Sequence, residues 1–482
     1  MITSTPIHRI NQYKIIFNIL SWFVCLIPLI LIFSNALSDI IVVCASLFFI
    51  YVSIKENNWE WIKEKWFRIT LLIYFWLIIT SFFAYDTELA LSRSISWIRF
   101  IIFAAALQYL FLNNKTNKNR ILIITFFSIL YVCFEMLAEY FTGFSFYSRI
   151  TPSLNTLPPP STINYVRIIE EFFGPGTFNG GSERLSGPFK DAPKSGIYLV
   201  YFVFPVLIGM TKLIKHKFTN YAGLIFGFSF LILNVYLIYA SGHRASMLYF
   251  LISLFLLIFY FCYLKKKLAV VLIATFFLLG IFVYNNNTLT GPDSKMGNLV
   301  VKTVKEIKNY SDSSYGSLSK TSIKMFKTHP ITGVGLKNYR VACEKDEFLS
   351  EGHSSSGYGM TPWSGYYDHE QKKYFEATCS AHPHNLYLTW LAETGIFGFL
   401  LFITFLISIS IKIIKYKKIV FNELIIFSIL LSLIPKLIPM MPSLNFFSNW
   451  NAICFWLLIG WLLSFLPKES NKKKSIKNLS HF

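Results

Sequence analysis

Residues 381–411 read AHPHNLYLTWLAETGIFGFLLFITFLISISI, and the second half of that stretch decides the fold. From Gly395 to Ile411 it carries no charged residue and almost nothing polar. A hydrocarbon core of about 30 Å takes roughly 20 such residues in a helix, so the run reads as a membrane span. Eleven others resemble it, giving spans at about 15–34, 39–54, 69–84, 97–112, 121–141, 196–211, 220–240, 247–264, 268–284, 395–411, 422–441 and 450–466. Composition agrees: only 15% of the 482 residues are charged, against about 25% in soluble domains. No small-residue cleavage site follows the first run, so it reads as a retained span and not a signal peptide.

Charge orients the spans. With the N-terminus cytoplasmic, the inner segments carry Arg9 and Lys14; Lys55, Lys63, Lys65 and Arg68; Lys115, Lys118 and Arg120; Lys212, Lys215 and Lys217; Lys265 to Lys267; and Lys412 to Lys418. The opposite short loops are nearly bare, which is the positive-inside pattern. An even span count then leaves both termini inside. The formal charge of +20 is therefore distributed toward anionic lipid headgroups, and nucleic acid is not implied.

The expected fold is all-α, a polytopic membrane bundle of about twelve transmembrane helices with one large outer loop between helices 9 and 10. Its parts are helices 1–5 (1–141), a first outer loop (142–195), helices 6–9 (196–284), the large loop with a site-bearing helix (285–394), helices 10–12 (395–466) and a basic cytoplasmic tail (467–482). Loops longer than about 12–15 residues are usually functional or disordered, so two long loops on one side make the outer face the working face. Pro158 to Pro160 and Gly174, Gly176, Gly180 and Gly181 mark the first as irregular. Of seven cysteines, only Cys343 and Cys379 fall in an outer segment, where an oxidising compartment permits a bridge.

Candidate chemistry gathers on the same side. His384 and Asn385 open a helical pattern that runs through Trp390 and Glu393 into Gly395 and Gly398. A helix N-terminus presents free N–H groups and a partial positive charge, which attracts anions and disfavours imidazolium. A neutral histidine there suits a general base; the alternative is a plain capping and loop-bonding role. His382 lies beside it. Arg244, in Ser241-Gly242-His243-Arg244-Ala245-Ser246, sits where an ionisable group is costly and where guanidinium can grip phosphate in bidentate fashion. Snorkelling is its blander role. Arg184, in 181–189, is a second phosphate contact or a solvent-exposed partner of Glu183. Arg93 and Arg99 flank the fourth span and can reach the same face. Residues 329–335, HPITGVG, end an amphipathic stretch at 318–327 with a glycine turn that admits close backbone approach. No P-loop, zinc pattern or nucleophile elbow occurs, and no metal or cofactor is expected.

Together these motifs resemble the superfamily of O-antigen ligases and O-antigen polymerases, bacterial envelope glycosyltransferases. His384-Asn385, nine residues, Gly395, two residues, Gly398 is similar to the ligases' H-[NSQ]-x9-G-x-x-G signature. Ser241 to Ser246 resembles the family's arginine segment, and His329 to Gly335 its h-P-x-x-G-v-G segment. Residues 184–189 and 442–450 are similar to stretches common among relatives. Two departures stand out. Tyr315 and Ser319 occupy the offsets of an arginine and a tryptophan in many relatives, with Lys320 or Arg340 as the available substitutes, and no glycine follows Arg244. The resemblance implies metal-independent, cofactor-free glycosyl transfer at the periplasmic face of the bacterial inner membrane. The donor would be a glycan on undecaprenyl diphosphate, and the acceptor a sugar hydroxyl of lipid A-core (ligase) or of another lipid-linked repeat unit (polymerase), with ligase preferred. His384 would take the hydroxyl proton, while Arg244 and Arg184 hold the diphosphate. His382, Asn385, Glu393, Arg93 and Arg340 support them. A lipid-linked sugar flippase is the rival from another class, but transporters place charges near the midplane in repeated halves. Here Glu135, Glu139 and Lys436 lie toward outer span ends.

Overall fold

The computed structural model describes residues 13–142, 145–147, 185–189, 194–217, 219–264, 308–345, 347–348, 366–368, 373–375, 379–439 and 441–469. Without water to bond, a backbone in hydrocarbon must satisfy itself, so apolar runs become helices. These are α1 (Lys14–Phe33), α2 (Asn35–Lys55), α3 (Lys65–Ser81), α4 (Thr87–Ala106), α5 (Lys115–Thr142), α6 (Ser195–Lys217), α7 (Asn220–Ala240), α8 (Arg244–Leu264), α9 (Ser314–Thr328), α10 (Leu386–Lys415), α11 (Leu424–Leu433) and α12 (Asn449–Leu463). Among the described residues eight helices are long and apolar enough to cross a membrane, and Leu424–Leu437 and Asn449–Leu463 are shorter apolar ones. The chain is an all-α polytopic membrane protein. One small addition breaks the helical rule: Tyr366–Asp368 and Lys373–Phe375 pair as an antiparallel hairpin (β1, β2).

Eleven of the twelve expected spans fall on helices, and the expected span at 268–284 lies outside the described residues. Three boundaries need correction. The fourth span begins at Thr87, ten residues early, because Asp86 caps it by accepting from Leu89 N–H at 2.9 Å; its polar first turns hid the start. The helix that carries the span expected from 395 begins earlier, at Leu386, and is interrupted at Gly395. The eleventh loses its α-helical form after Leu433, where a 3-10 turn, Ile434–Leu437, takes over; Pro435, lacking an N–H, cannot extend the ladder.

α6 and α12 form the centre. Residues 197–206 of α6 and 450–463 of α12 are almost continuously buried, as helices apolar all round must be. α6 packs against α5, α7 and α11, while α12 packs against α4 and α11.

Cross-links at the two ends fix how the helices alternate. At the end shared by the α4, α8, α10 and α12 starts, Arg99 bonds the Asp39 carboxylate at 2.7 and 3.1 Å and Asn449 Oδ1 at 3.3 Å. Arg99 is thus a structural clamp among α2, α4 and α12. At the opposite end Lys412 Nζ meets Glu64 Oε2 at 2.5 Å, both nearly inaccessible. Tyr109 Oη and the Glu469 N–H donate to Glu64 Oε1 at 2.8 and 3.0 Å. Lys412→Met strands that carboxylate, and thermal unfolding should report a loss of about 3–5 kcal/mol. Adding Glu64→Gln should recover most of it; no recovery would show that the pair is not what holds this end.

Candidate functional site

The site is built where α10 starts. Asn385 caps that helix, its Oδ1 accepting from Tyr387 N–H at 3.0 Å and Leu388 N–H at 3.1 Å. His384 precedes the cap with φ +54°, a left-handed conformation that few side chains other than glycine adopt. The connection between α11 and α12 holds it there. Ser443 N–H donates to His384 O at 2.7 Å, and Asn385 pairs with Pro442 in an antiparallel bridge. The Ser443 carbonyl in turn lies 3.2 Å from His382 Nε2. The two imidazoles stack with centroids 4.0 Å apart, and Tyr315 of α9 meets His384 edge-on at 6.1 Å.

Burial pushes the His384 imidazole down to about 4. Burial, reinforced by His384, pushes His382 well below its ordinary range. Both rings are therefore neutral at pH 7. The expected direction holds, but its main cause is burial rather than the helix-end field. For a base at His384, the acid limb of kcat/KM should fall near pH 4, as protonation removes the acceptor lone pair. Bound diphosphate favours imidazolium, so the kcat limb should lie higher. A kcat/KM limb near 6.5, the ordinary histidine value, would point to an exposed group instead.

Arg244 is the first residue of α8. The turn before it is tight because Gly242 takes φ +64°, and His243 Nδ1 accepts from Ser246 N–H at 3.1 Å, closing the helix start. One and a half turns along α8, about 7–8 Å, Tyr249 Oη donates to the Pro442 carbonyl. Pro442 is the residue that pairs with Asn385, so the arginine and histidine segments share one strut.

A cationic group flanks the histidines. Lys337 N–H donates to Glu393 Oε2 at 2.9 Å, and Glu393 is fully buried. Burial, against the pull of Glu393 and with Arg340 and Arg93 adding repulsion, lowers the Lys337 ammonium to about 8. Arg340 also depresses His382. Arg93 and Arg340 are exposed.

The two glycine motifs clasp each other. α10 is interrupted at Gly395, φ +65°, ψ −170°. The carbonyls freed there are taken from the 329–335 turn and from α3: Val334 N–H donates to Ala392 O at 2.8 Å, Gly335 N–H to Glu393 O at 3.1 Å, and Trp76 Nε1 to Thr394 O at 2.9 Å. Ile396 N–H returns to Pro330 O at 2.9 Å. A Cβ on Gly395 would lie 2.0 Å from Ile331 O, and one on Gly333 would lie 2.5 Å from Ala392 O.

Arg184 lies outside the described residues. Cys343 and Cys379 are joined by a disulfide, Cα atoms 5.1 Å apart, beside Val334 and Ala392. Among the described residues no three His, Cys, Asp or Glu side chains gather as a metal set. Tyr249, Tyr315, Lys337 and Ser443 were not read from sequence as parts of the site. Ser443 lies in the 442–450 stretch and Tyr315 at a motif offset, but a residue that acts through its backbone, as Ser443 does toward both histidines, leaves no chemical signature.

The arrangement defines a class: a multi-pass membrane protein with a half-buried neutral histidine and several cations at one end of its bundle. The family model described as O-antigen ligase matches residues 229–403, a stretch that contains Arg244, the 329–335 turn, His384 and both α10 glycines. The match supports the O-antigen ligase superfamily and a ligase- or polymerase-like membrane enzyme of polysaccharide biosynthesis. No curated protein matches the chain.

Proposed function

We propose that this protein moves a glycan from undecaprenyl diphosphate to a sugar hydroxyl of lipid A-core at the periplasmic face of the inner membrane, without a metal. The acceptor oxygen attacks the anomeric carbon and gives its proton to His384. The bond from that carbon to the diphosphate breaks, and the electron pair leaves with the phosphate oxygen. Arg244, and Arg184 from the first long loop, stabilise the departing charge. Arg93, Lys337 and Arg340 add to the positive field around it. The carrying observation is His384 itself: half-buried, neutral, at a helix start, and tied through Pro442 and Tyr249 to the helix that Arg244 opens. The diphosphate bond supplies the energy, so no nucleotide site is needed.

The test is transfer by purified protein from a defined lipid-linked donor to lipid A-core, with EDTA present. Product formation in EDTA is expected. A strict requirement for divalent metal would overturn the mechanism. A deletion strain separates the two acceptors: loss of a ligase leaves polymerised glycan on undecaprenyl diphosphate, whereas loss of a polymerase leaves single repeats.

A further inference from the structure

Lys436 is a cation for which the site described so far has no use. It lies in the 3-10 turn Ile434–Leu437 that follows α11, with its Nζ sealed from solvent and without a hydrogen-bond partner among the described residues. The ammonium sits 2.8 Å from the centroid of the Tyr201 ring, which faces one side of it and leaves the rest of its donor capacity unused. Ser443 Oγ is likewise buried and without a partner. Both residues line one cavity, walled by Ile197, Tyr201, Tyr249 and Leu386.

That cavity is adjacent to the histidines. Ser443 turns its backbone to them, N–H to His384 O and carbonyl to His382 Nε2, and lines the cavity as well. Leu386 is the first residue of α10, immediately after the Asn385 cap. Tyr249 links the same cavity to the helix that Arg244 opens. Its phenol donates to Pro442 O, and the Tyr201 phenol donates to Asn451 Oδ1, so neither hydroxyl hydrogen competes for an incoming anion's oxygens.

A buried ammonium needs a counter-charge, since an unpaired cation away from water is costly. The walls are mostly hydrocarbon and aromatic, which suits a ligand whose charged end continues into an apolar chain. We infer that Lys436 and Ser443 form an anion-binding subsite for a phosphate group of the polyprenyl diphosphate, beside the connection that holds the histidine proposed to act on its glycan. This assignment rests on the proposed donor class, but it adds a binding residue outside the stretch matched by the O-antigen ligase model.

Binding, separated from transfer, tests it. Protein in nanodiscs is titrated with undecaprenyl diphosphate, with undecaprenol, and with inorganic diphosphate, following Trp fluorescence. Lys436→Met should weaken undecaprenyl diphosphate by about 10- to 100-fold, the usual range for losing a charge-assisted contact, and leave undecaprenol unchanged. Lys436→Arg should retain more affinity than Lys436→Met, and Ser443→Ala should show a smaller loss. Equal diphosphate affinity in wild type and Lys436→Met would overturn the inference, all the more if the variant melts higher, as relief of a purely structural buried charge predicts. Inorganic diphosphate competing as strongly as the lipid would overturn the apolar part of the ligand. The same titration on His384→Ala keeps the two proposals apart: intact transfer by that variant removes the catalytic reading while leaving the binding result standing.

Discussion

Replacing His384 with Ala should cut turnover by about 10²- to 10⁴-fold, the usual share of a general base. The loss should appear in kcat, because the ring's task belongs to the transition state. His384 holds its neighbours through its own carbonyl, which accepts from Ser443 N–H, so the truncated variant keeps that strut and should still insert and express. Asn385 continues to cap α10 regardless. His382 is too deeply buried, at 8% exposure, and too engaged with Ser443 O to stand in. Arg244→Lys belongs with this experiment. An ammonium cannot reproduce the bidentate geometry of guanidinium on a phosphate, so most activity should be lost although the charge is retained. Near-normal turnover by well-folded His384→Ala would reject this histidine as the base.

The second large effect is structural. Gly395→Ala sets a Cβ 2.0 Å from Ile331 O and 2.3 Å from Ile331 C, both backbone atoms that cannot swing aside. Left-handed φ adds about 1–2 kcal/mol of strain. Relief requires the 329–335 turn to lift away, opening the Val334, Gly335 and Ile396 hydrogen bonds at about 1 kcal/mol each. Hydrogen exchange at Val334 and Gly335 should therefore accelerate, and proteolysis of the long loop should quicken even where the helices persist. Gly333→Ala attacks the same crossing from the other side, so the double variant should cost less than the sum of the two. Unchanged protection in Gly395→Ala would mean that the clasp does not hold the loop.

Apolar run length made the helices legible, and the sequence missed them where polar residues begin a helix. Thr87 to Ser96 is an example: Ser92, Arg93 and Ser94 mask helix that hydropathy alone starts too late. The helix start at His384 and Asn385 and the candidate base were readable because proton transfer demands particular side chains. The clasp was half readable. Glycines at 333 and 335 signalled close backbone approach, but nothing in the sequence said that they approach Gly395. Lys436 was noted only as a charge near a span end, and its cavity arises from α6, α8, α10, the segment after α11 and α12, stretches spread over roughly 250 residues of sequence. Arg99 shows the reverse error. Its type fits a phosphate ligand, whereas Asp39 and Asn449 claim it for packing.

The break at Gly395 also acts as a depth gauge. Beyond it, Ile396 to Lys415 measures about 30 Å at 1.5 Å per residue, close to the thickness of the hydrocarbon layer. The preceding segment, Leu386 to Thr394, adds about 13 Å more and is bonded to the 329–335 turn instead of continuing the same ladder. Two segments therefore meet at the break, a lipid-length shaft and a shorter handle, with the imidazole just beyond the handle's far end. Lengthening or shortening the handle by a turn would shift the chemistry about 5 Å along the membrane normal without touching a single reactive residue.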